Sequence, residues 1–212
     1  MSTERRSFRR EPEERRREQL ITAALDLMAE GGPKAATVRA IADRAGITPG
    51  LIRHYFSSKD DLTRAAYRYS MERMTAQGAA AADAVAGDDP LAALAALVRS
   101  SLRPPVMEGE RVRLWAGFLH MVHREPAMRE IHEATYLGFR DEVQRRIARL
   151  PHVTGPDHAR RLAIAVNAVI DGLWLEGGTL PGCFAGAEIE EIGLTAVSAI
   201  LGVALPGSAG EV

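Results

Sequence analysis

An all-α chain of nine helices is expected from three features of the sequence. Every readable segment has apolar residues recurring three and four apart, and none alternates with the period of a strand. Glycine and proline cut the chain into helical lengths at Gly31–Gly32, Gly46, Gly87–Pro90, Pro104–Pro105, Pro126, the PHVTGPD stretch and the GGTLPGCFAGA stretch. Gly46 and Pro49 lie so close that the helices flanking them must form a tight hairpin.

The first helix is expected over residues 13–31. Arg15 to Arg17 open it, Leu20, Ile21, Ala24, Leu27 and Met28 form its apolar face, and the glycine pair ends it. Arg5, Arg6, Arg9 and Arg10 precede any hydrophobic period and suggest a flexible arm. Such an arm can follow phosphates or enter a minor groove, or it can be a solubilising tail; the residues alone leave both readings open.

Thr37 is the expected cap of the second helix, with Val38, Ile41, Ala42 and Ala45 at helical spacing and Arg39, Asp43 and Arg44 on the wet side. Gly46 stops it, because a residue without a Cβ takes positive φ at no steric cost. Thr48 then caps the third helix and Pro49 takes its first position, where the missing N–H costs nothing. Leu51, Ile52 and Phe56 are expected to face inward, leaving Thr48, Pro49, Gly50, Arg53, His54 and Tyr55 outward. This is a DNA-reading helix-turn-helix in its physical form: a short helix enters a major groove with its N-terminal residues over the base edges. Arg53 is the long donor suited to guanine O6 and N7, and Gly50 lets the backbone approach the duplex. Tyr55 and Lys59 sit where a hydroxyl and an ammonium meet phosphates, and Thr37 and Arg39 complete the candidate DNA surface. Ser58 with Asp61 forms the capping box of the fourth helix.

The run Thr37 to Leu62 resembles the DNA-binding domain of TetR-family repressors. That signature is a glycine, an aliphatic pair, an aromatic, a phenylalanine and a lysine opening the fourth helix, here Gly50, Leu51, Ile52, Tyr55, Phe56 and Lys59. Where much of the family has a tyrosine, this chain has Arg53, so Arg53 is treated as a base reader and not as a phosphate contact. The resemblance implies a nine-helix TetR-like architecture with an N-terminal three-helix reader and a C-terminal helical domain for ligand binding and dimerisation.

The fourth helix is expected from Lys59 to about Ala86, ending at GDDP, where Asp89 caps and Pro90 opens the next. Further helices are expected at 90–102, 109–124, 126–150, 157–177 and 188–204. A soft boundary near residue 60 separates an N-terminal arm and helix-turn-helix domain, 1–60, from a helical domain, 61–212. Net charge follows the same division: the first sixty residues carry twelve basic against nine acidic side chains, +3, and the remainder fifteen against nineteen, −4. The basic excess lies with the proposed DNA reader.

A chain of 212 residues, 46% apolar, suits one or two domains with a sizeable core. There is no long apolar run and the Arg-rich N-terminus lacks an apolar core, so the expected compartment is the cytoplasm, with no membrane partner. The single cysteine, Cys183, excludes an internal disulfide and a cysteine-based zinc site, and is expected to be a small, partly buried residue. No GxSxG, P-loop or HExxH pattern occurs, so the chain reads as a regulator and not an enzyme, with no cofactor.

Two further stretches, RLWAGFLHMVHREPAMREIHEATYLGFRDEVQRRI and LAIAVNAVIDGLWLEGGTL, resemble the TetR subgroup typified by the choline-responsive repressor of glycine-betaine synthesis. Trp115 and Phe118 share one face of the sixth helix, and Tyr136, Phe139 and Trp174 can face them from other helices. Such rings can surround a cation, and Asp171, one turn before Trp174, can add a carboxylate; plain core packing with a capping aspartate is the competing reading. Leu119 stands where the choline pattern has a second tryptophan, which favours a bulkier or more hydrophobic effector than choline. His120, His123 and His132 can supply three nitrogen ligands, or be solvated or core histidines; no metal is assigned to them. The last two helices are apolar over a wide arc: Ile164, Ala165, Ala168, Val169, Gly172 and Leu173 on one, and Ile192, Leu194, Val197, Ile200 and Leu201 on the other. So wide an arc needs a second burial partner, by resemblance the same pair in a homodimer. The expected function is a one-component repressor that binds a palindromic operator as a dimer and is released by a small molecule of cationic or hydrophobic character. The alternative is a DNA-binding dimer with no effector, its C-terminal domain serving dimerisation only.

Overall fold

Nine α-helices make up the secondary structure of the described residues, with no strand among them, in a computed structural model that describes residues 4–85 and 87–208, and side chains from residue 13 onward. In order they are α1 (Glu4–Gly31), α2 (Val38–Ala45), α3 (Pro49–Tyr55), α4 (Lys59–Asp83), α5 (Pro90–Ser101), α6 (Gly109–Val122), α7 (Pro126–Ile147), α8 (Gly155–Thr179) and α9 (Glu188–Leu201). The breaks are those the glycines and prolines mark. Asp89 caps α5 by accepting from the Leu91 and Ala92 N–H groups at 2.9 and 3.1 Å, and Gly202, at φ 68°, ends α9 in the left-handed region.

One expectation at the N-terminus fails. α1 begins at Glu4, so the segment expected as a flexible arm has a helical backbone. Glutamate and arginine lose little rotamer freedom in a helix, and a run of them extends α1 although it contains Pro12. The side chains of Arg5, Arg6, Arg9 and Arg10 lie outside the described residues.

The chain falls into two compact units. The first comprises residues up to Ser70 with Arg113–Ile131; the second comprises Met71–Val112 with the residues from His132 onward. In the first unit Leu20, Ala24 and Met28 of α1 are buried with Ile41 and Ala42 of α2, Ile52 and Phe56 around α3, and Leu62 and Tyr67 of α4. Tyr67 meets Phe118 ring to ring at 4.6 Å between centroids, and burial pushes the Tyr67 hydroxyl well above its usual pKa.

The core of the second unit comes from α5, α7, α8 and α9, with Leu94, Leu97, Val98, Val143, Val166, Ile170, Leu194, Val197 and Leu201 buried. Glycine lets these helices close up: a Cβ at Gly193 would run into Leu102, and one at Gly177 into Ile189 and Met107. On α7, Glu142 and Arg146 are both buried, and the Arg146 guanidinium donates to Glu142 at 2.7 Å and to Asp83 at 2.6 Å.

Candidate functional site

The first candidate site is built on α2, α3 and the turn between them. The Thr37 hydroxyl accepts from the Ala40 N–H at 3.1 Å, and Gly46 takes φ 65°, its N–H donating to the Ala42 and Asp43 carbonyls. Thr48 occupies the cap of α3 with an extended backbone but makes no capping hydrogen bond through its side chain, so its exposed hydroxyl is not spent within the turn. Pro49 opens the helix as expected. Arg39, Pro49, Gly50, Arg53 and His54 are exposed, Tyr55 is half-buried, and a Cβ at Gly50 would meet nothing within 4 Å. Lys59 is half-buried, its Nζ 3.4 Å from the Pro33 carbonyl.

Leu51 corrects the sequence reading: it was expected to face inward and is 38% exposed. Successive residues turn by about 100°, so once Ile52 and Phe56, four apart, take the inward stripe, Leu51 lies off it. An aliphatic side chain thus stands among the polar groups on the outer face of α3. The capping box of α4 is also shifted by one residue. Ser58 Oγ accepts from the Asp61 N–H at 3.0 Å, but the Asp61 carboxylate reaches back to the N–H and hydroxyl of Ser57, at 3.0 and 3.1 Å.

Arg17 makes a tertiary tie to α3 that the sequence does not single out. From α1 its Nη1 donates to the Tyr55 carbonyl at 2.9 Å, and its guanidinium lies 4.2 Å from the Phe56 ring centroid. A cation at a helix C-terminus satisfies a carbonyl that no intrahelical N–H reaches and complements the helix dipole. It therefore ties the end of the short α3 to the longest helix of its unit. Only its membership of the run Arg15 to Arg17 hinted at it.

The second set of candidates divides between the two units. In the first, Phe118 is buried against Tyr67, and Trp115 and Leu119 are half-buried. In the second, the buried Trp174 donates its indole N–H to the Val106 carbonyl at 2.9 Å. Tyr136 of α7 and Asp171 of α8 are brought together, the Tyr136 hydroxyl donating to Asp171 Oδ2. Asn167, four residues before Asp171 and also missed, is buried and donates to the Tyr136 oxygen at 2.7 Å and to Asp171 Oδ2 at 2.9 Å. Its signal was an amide within the apolar run LAIAVNAVI. The His132 and Tyr136 rings lie 5.4 Å apart, tilted by 32°. Burial raises the Asp171 carboxyl above its usual pKa against the opposing hydrogen bonds from Tyr136 and Asn167, and burial with the adjacent carboxylate pushes Tyr136 up to about 12.

Of the other histidines, His120 shares a hydrogen bond with Arg124 at 3.3 Å and His123 is exposed. Among the described residues no three His, Cys, Asp or Glu side chains are grouped to hold a metal ion, and no helix is long and apolar enough to cross a membrane. Cys183 was expected to be partly buried and is exposed, because it lies in the loop between α8 and α9 and not on a packed helix face.

Comparison with known proteins identifies both halves of the chain. Residues 20–66 match the family model for bacterial regulatory proteins of the tetR family, and residues 90–202 match that for the C-terminal part of BetI-type transcriptional repressors. The HTH-type transcriptional regulator BetI of Stenotrophomonas maltophilia is 35% identical over 170 residues, spanning 80% of this chain and 84% of that protein. A transcriptional regulator of Rhodococcus sp. Rha1 is similar in structure, with TM-score 0.69 and 26% identity over 88% of this chain and 94% of its own. A Saccharomonospora viridis protein solved in complex with choline is 21% identical, with TM-score 0.65 over 87% of this chain and 92% of its own.

Proposed function

Because this chain belongs to the TetR family, with the C-terminal domain of a BetI-type transcriptional repressor, we propose that it is a cytoplasmic, ligand-responsive repressor. It holds a palindromic operator as a homodimer and lets go when a small molecule occupies the C-terminal domain. The observation that carries this reading is α3: a seven-residue helix opened by Pro49, whose outer face offers Arg53, His54, Thr48 and the bare backbone of Gly50, with no acidic residue among its own. Such a helix fits a major groove, with Arg53 over base edges and Tyr55 and Lys59 against phosphates. Thr37 and Arg39, at the start of α2, are both exposed and are proposed to join the same DNA surface.

Support for the homodimer comes from α8 and α9. Ile164, Ala168, Gly172 and Leu175 stand exposed along α8, three or four apart, and Ile192 is exposed on α9. Leu194, Val197 and Leu201, by contrast, are spent in the core of their own unit, which narrows the contact surface to the outer stripe. A self-complementary apolar stripe of this kind suits an isologous two-fold interface. The effector acts as a population shift: it must bind the form that releases DNA more tightly than the form that holds it. Within the second unit, Tyr136 and Asp171 are its proposed contacts.

Fluorescence anisotropy with operator and random duplexes over a range of salt tests the DNA reading. Arg53→Ala is expected to weaken operator binding by about 1–3 kcal/mol and to relax preference at one base pair. Lys59→Ala should weaken both duplexes alike and flatten the salt dependence. Equal losses on both duplexes for Arg53→Ala would remove its base-reading role.

A further inference from the structure

On the reading that a small molecule releases this repressor, we infer that the effector carries a protonated amine with N–H groups, held by the Asp171 carboxylate in the Tyr136–Asn167–Asp171 cluster, and is not a quaternary ammonium. The geometry of the cluster selects between the two kinds of cation. Both donors that reach Asp171, the Tyr136 hydroxyl and the Asn167 amide, converge on Oδ2. Both are neutral, and among the described residues no lysine or arginine pairs with this carboxylate. Oδ1 keeps its acceptor capacity, and Asp171 is half-buried and not fully enclosed. Beside it the Asn167 carbonyl oxygen is a second acceptor, buried and unpartnered, in a side chain 3% exposed.

A trimethylammonium group has no N–H, so it can meet the carboxylate only as a diffuse charge and leaves the Asn167 oxygen without a donor. Any further attraction would have to come from open ring faces. Within this unit the His132 ring flanks that of Tyr136, and Trp174 is buried with its indole N–H committed to Val106. What the cluster offers a ligand is therefore a carboxylate that two neutral donors hold in place and that has no direct ion-pair partner, the charge of His132 acting on it only at a distance. A charge-assisted hydrogen bond to an ammonium supplies the missing partner. Burial disfavours the ionised carboxylate in the free protein, and an arriving cation reverses that preference.

Ethanolamine and choline differ only in three N-methyl groups, and hexylamine and hexyltrimethylammonium form a larger pair with the same difference. Calorimetric titration of the full-length dimer with both pairs, followed by operator release, is the test. Each primary amine is expected to bind about tenfold or more tightly than its trimethyl counterpart. Asp171→Asn should abolish that preference while holding or raising Tm, since it removes a desolvated charge. Equal or tighter binding of the trimethyl compounds would overturn the inference, as would selectivity that survives in Asp171→Asn. If no amine binds at millimolar concentration but a neutral apolar compound releases the operator, this ligand class falls and the repressor reading stands. Because wild type carries the amine-against-trimethyl comparison, a variant that failed to fold would not spoil it.

Discussion

Leu175→Glu combined with Ile192→Glu is expected to give a monomer that no longer binds its operator at any concentration where wild type does. Both residues are more than a third exposed in the single chain, 44% and 41%, so the free subunit loses little by the change and should keep its helical circular dichroism. In the proposed homodimer they would lie against the same stripe of the partner. Each of the four introduced carboxylates would be desolvated next to apolar surface and another negative charge, at several kcal/mol per ion. DNA binding falls further than the dimer contact alone, because two recognition helices held one duplex turn apart contribute together and one does not. Sedimentation velocity at micromolar protein reads the first effect, and anisotropy with operator the second. A double variant that still sediments as a dimer would move the interface away from α8 and α9.

The second large effect lies in the interior of the C-terminal unit. Glu142→Ala is expected to destabilise the chain by about 3–5 kcal/mol, the usual cost of stranding one member of a buried ion pair. Arg146 is 8% exposed, and without Glu142 it keeps a long bond to the Ala79 carbonyl at 3.5 Å and one carboxylate, Asp83, whose side chain is 71% exposed and holds the guanidinium from the solvent side. Arg145, which also meets Glu142, is exposed and can turn to water. In a chain of this size the loss corresponds to a fall in Tm of about 6–20 °C, measured at fixed protomer concentration so that dimerisation does not enter the comparison. Replacing both partners with apolar residues, Glu142→Leu with Arg146→Met, should recover most of it, because no buried charge is then left alone. A single Glu142→Ala variant that melts with wild type would mean that water reaches Arg146.

Most of the helix-turn-helix was legible before any coordinates. Thr37, Gly46 and Pro49 act through hydrogen bonds and backbone angles within a few residues of themselves, so their identities were enough to locate the ends of α2 and the start of α3. Proline and glycine marked the remaining breaks for the same reason, although α4, α7 and α9 end three residues before the expected positions, and the chain's match to tetR-family and BetI-type models agrees with the resemblance carried by Gly50 to Lys59 and by the Trp115 and Trp174 stretches. The face of a short helix was less legible. In α3 two adjacent aliphatic residues, Leu51 and Ile52, compete for one inward stripe, and periodicity over seven residues does not choose between them. Packing against α1 and α2 does.

Determined by the sequence itself were the helix count, the helix-turn-helix and its capped turn, and the kind of protein. Only the tertiary structure decided which distant side chains meet. Arg17 finds the Tyr55 carbonyl 38 residues away, Asn167 finds Tyr136 at a separation of 31, and Arg146 finds Asp83 at 63. Capping and turn formation are local, so residue identity is enough for them. A long-range pair depends on the rotation and spacing of whole helices, and the summed packing of many apolar side chains sets these, often around glycines such as Gly177 and Gly193 where a Cβ would collide with a neighbour.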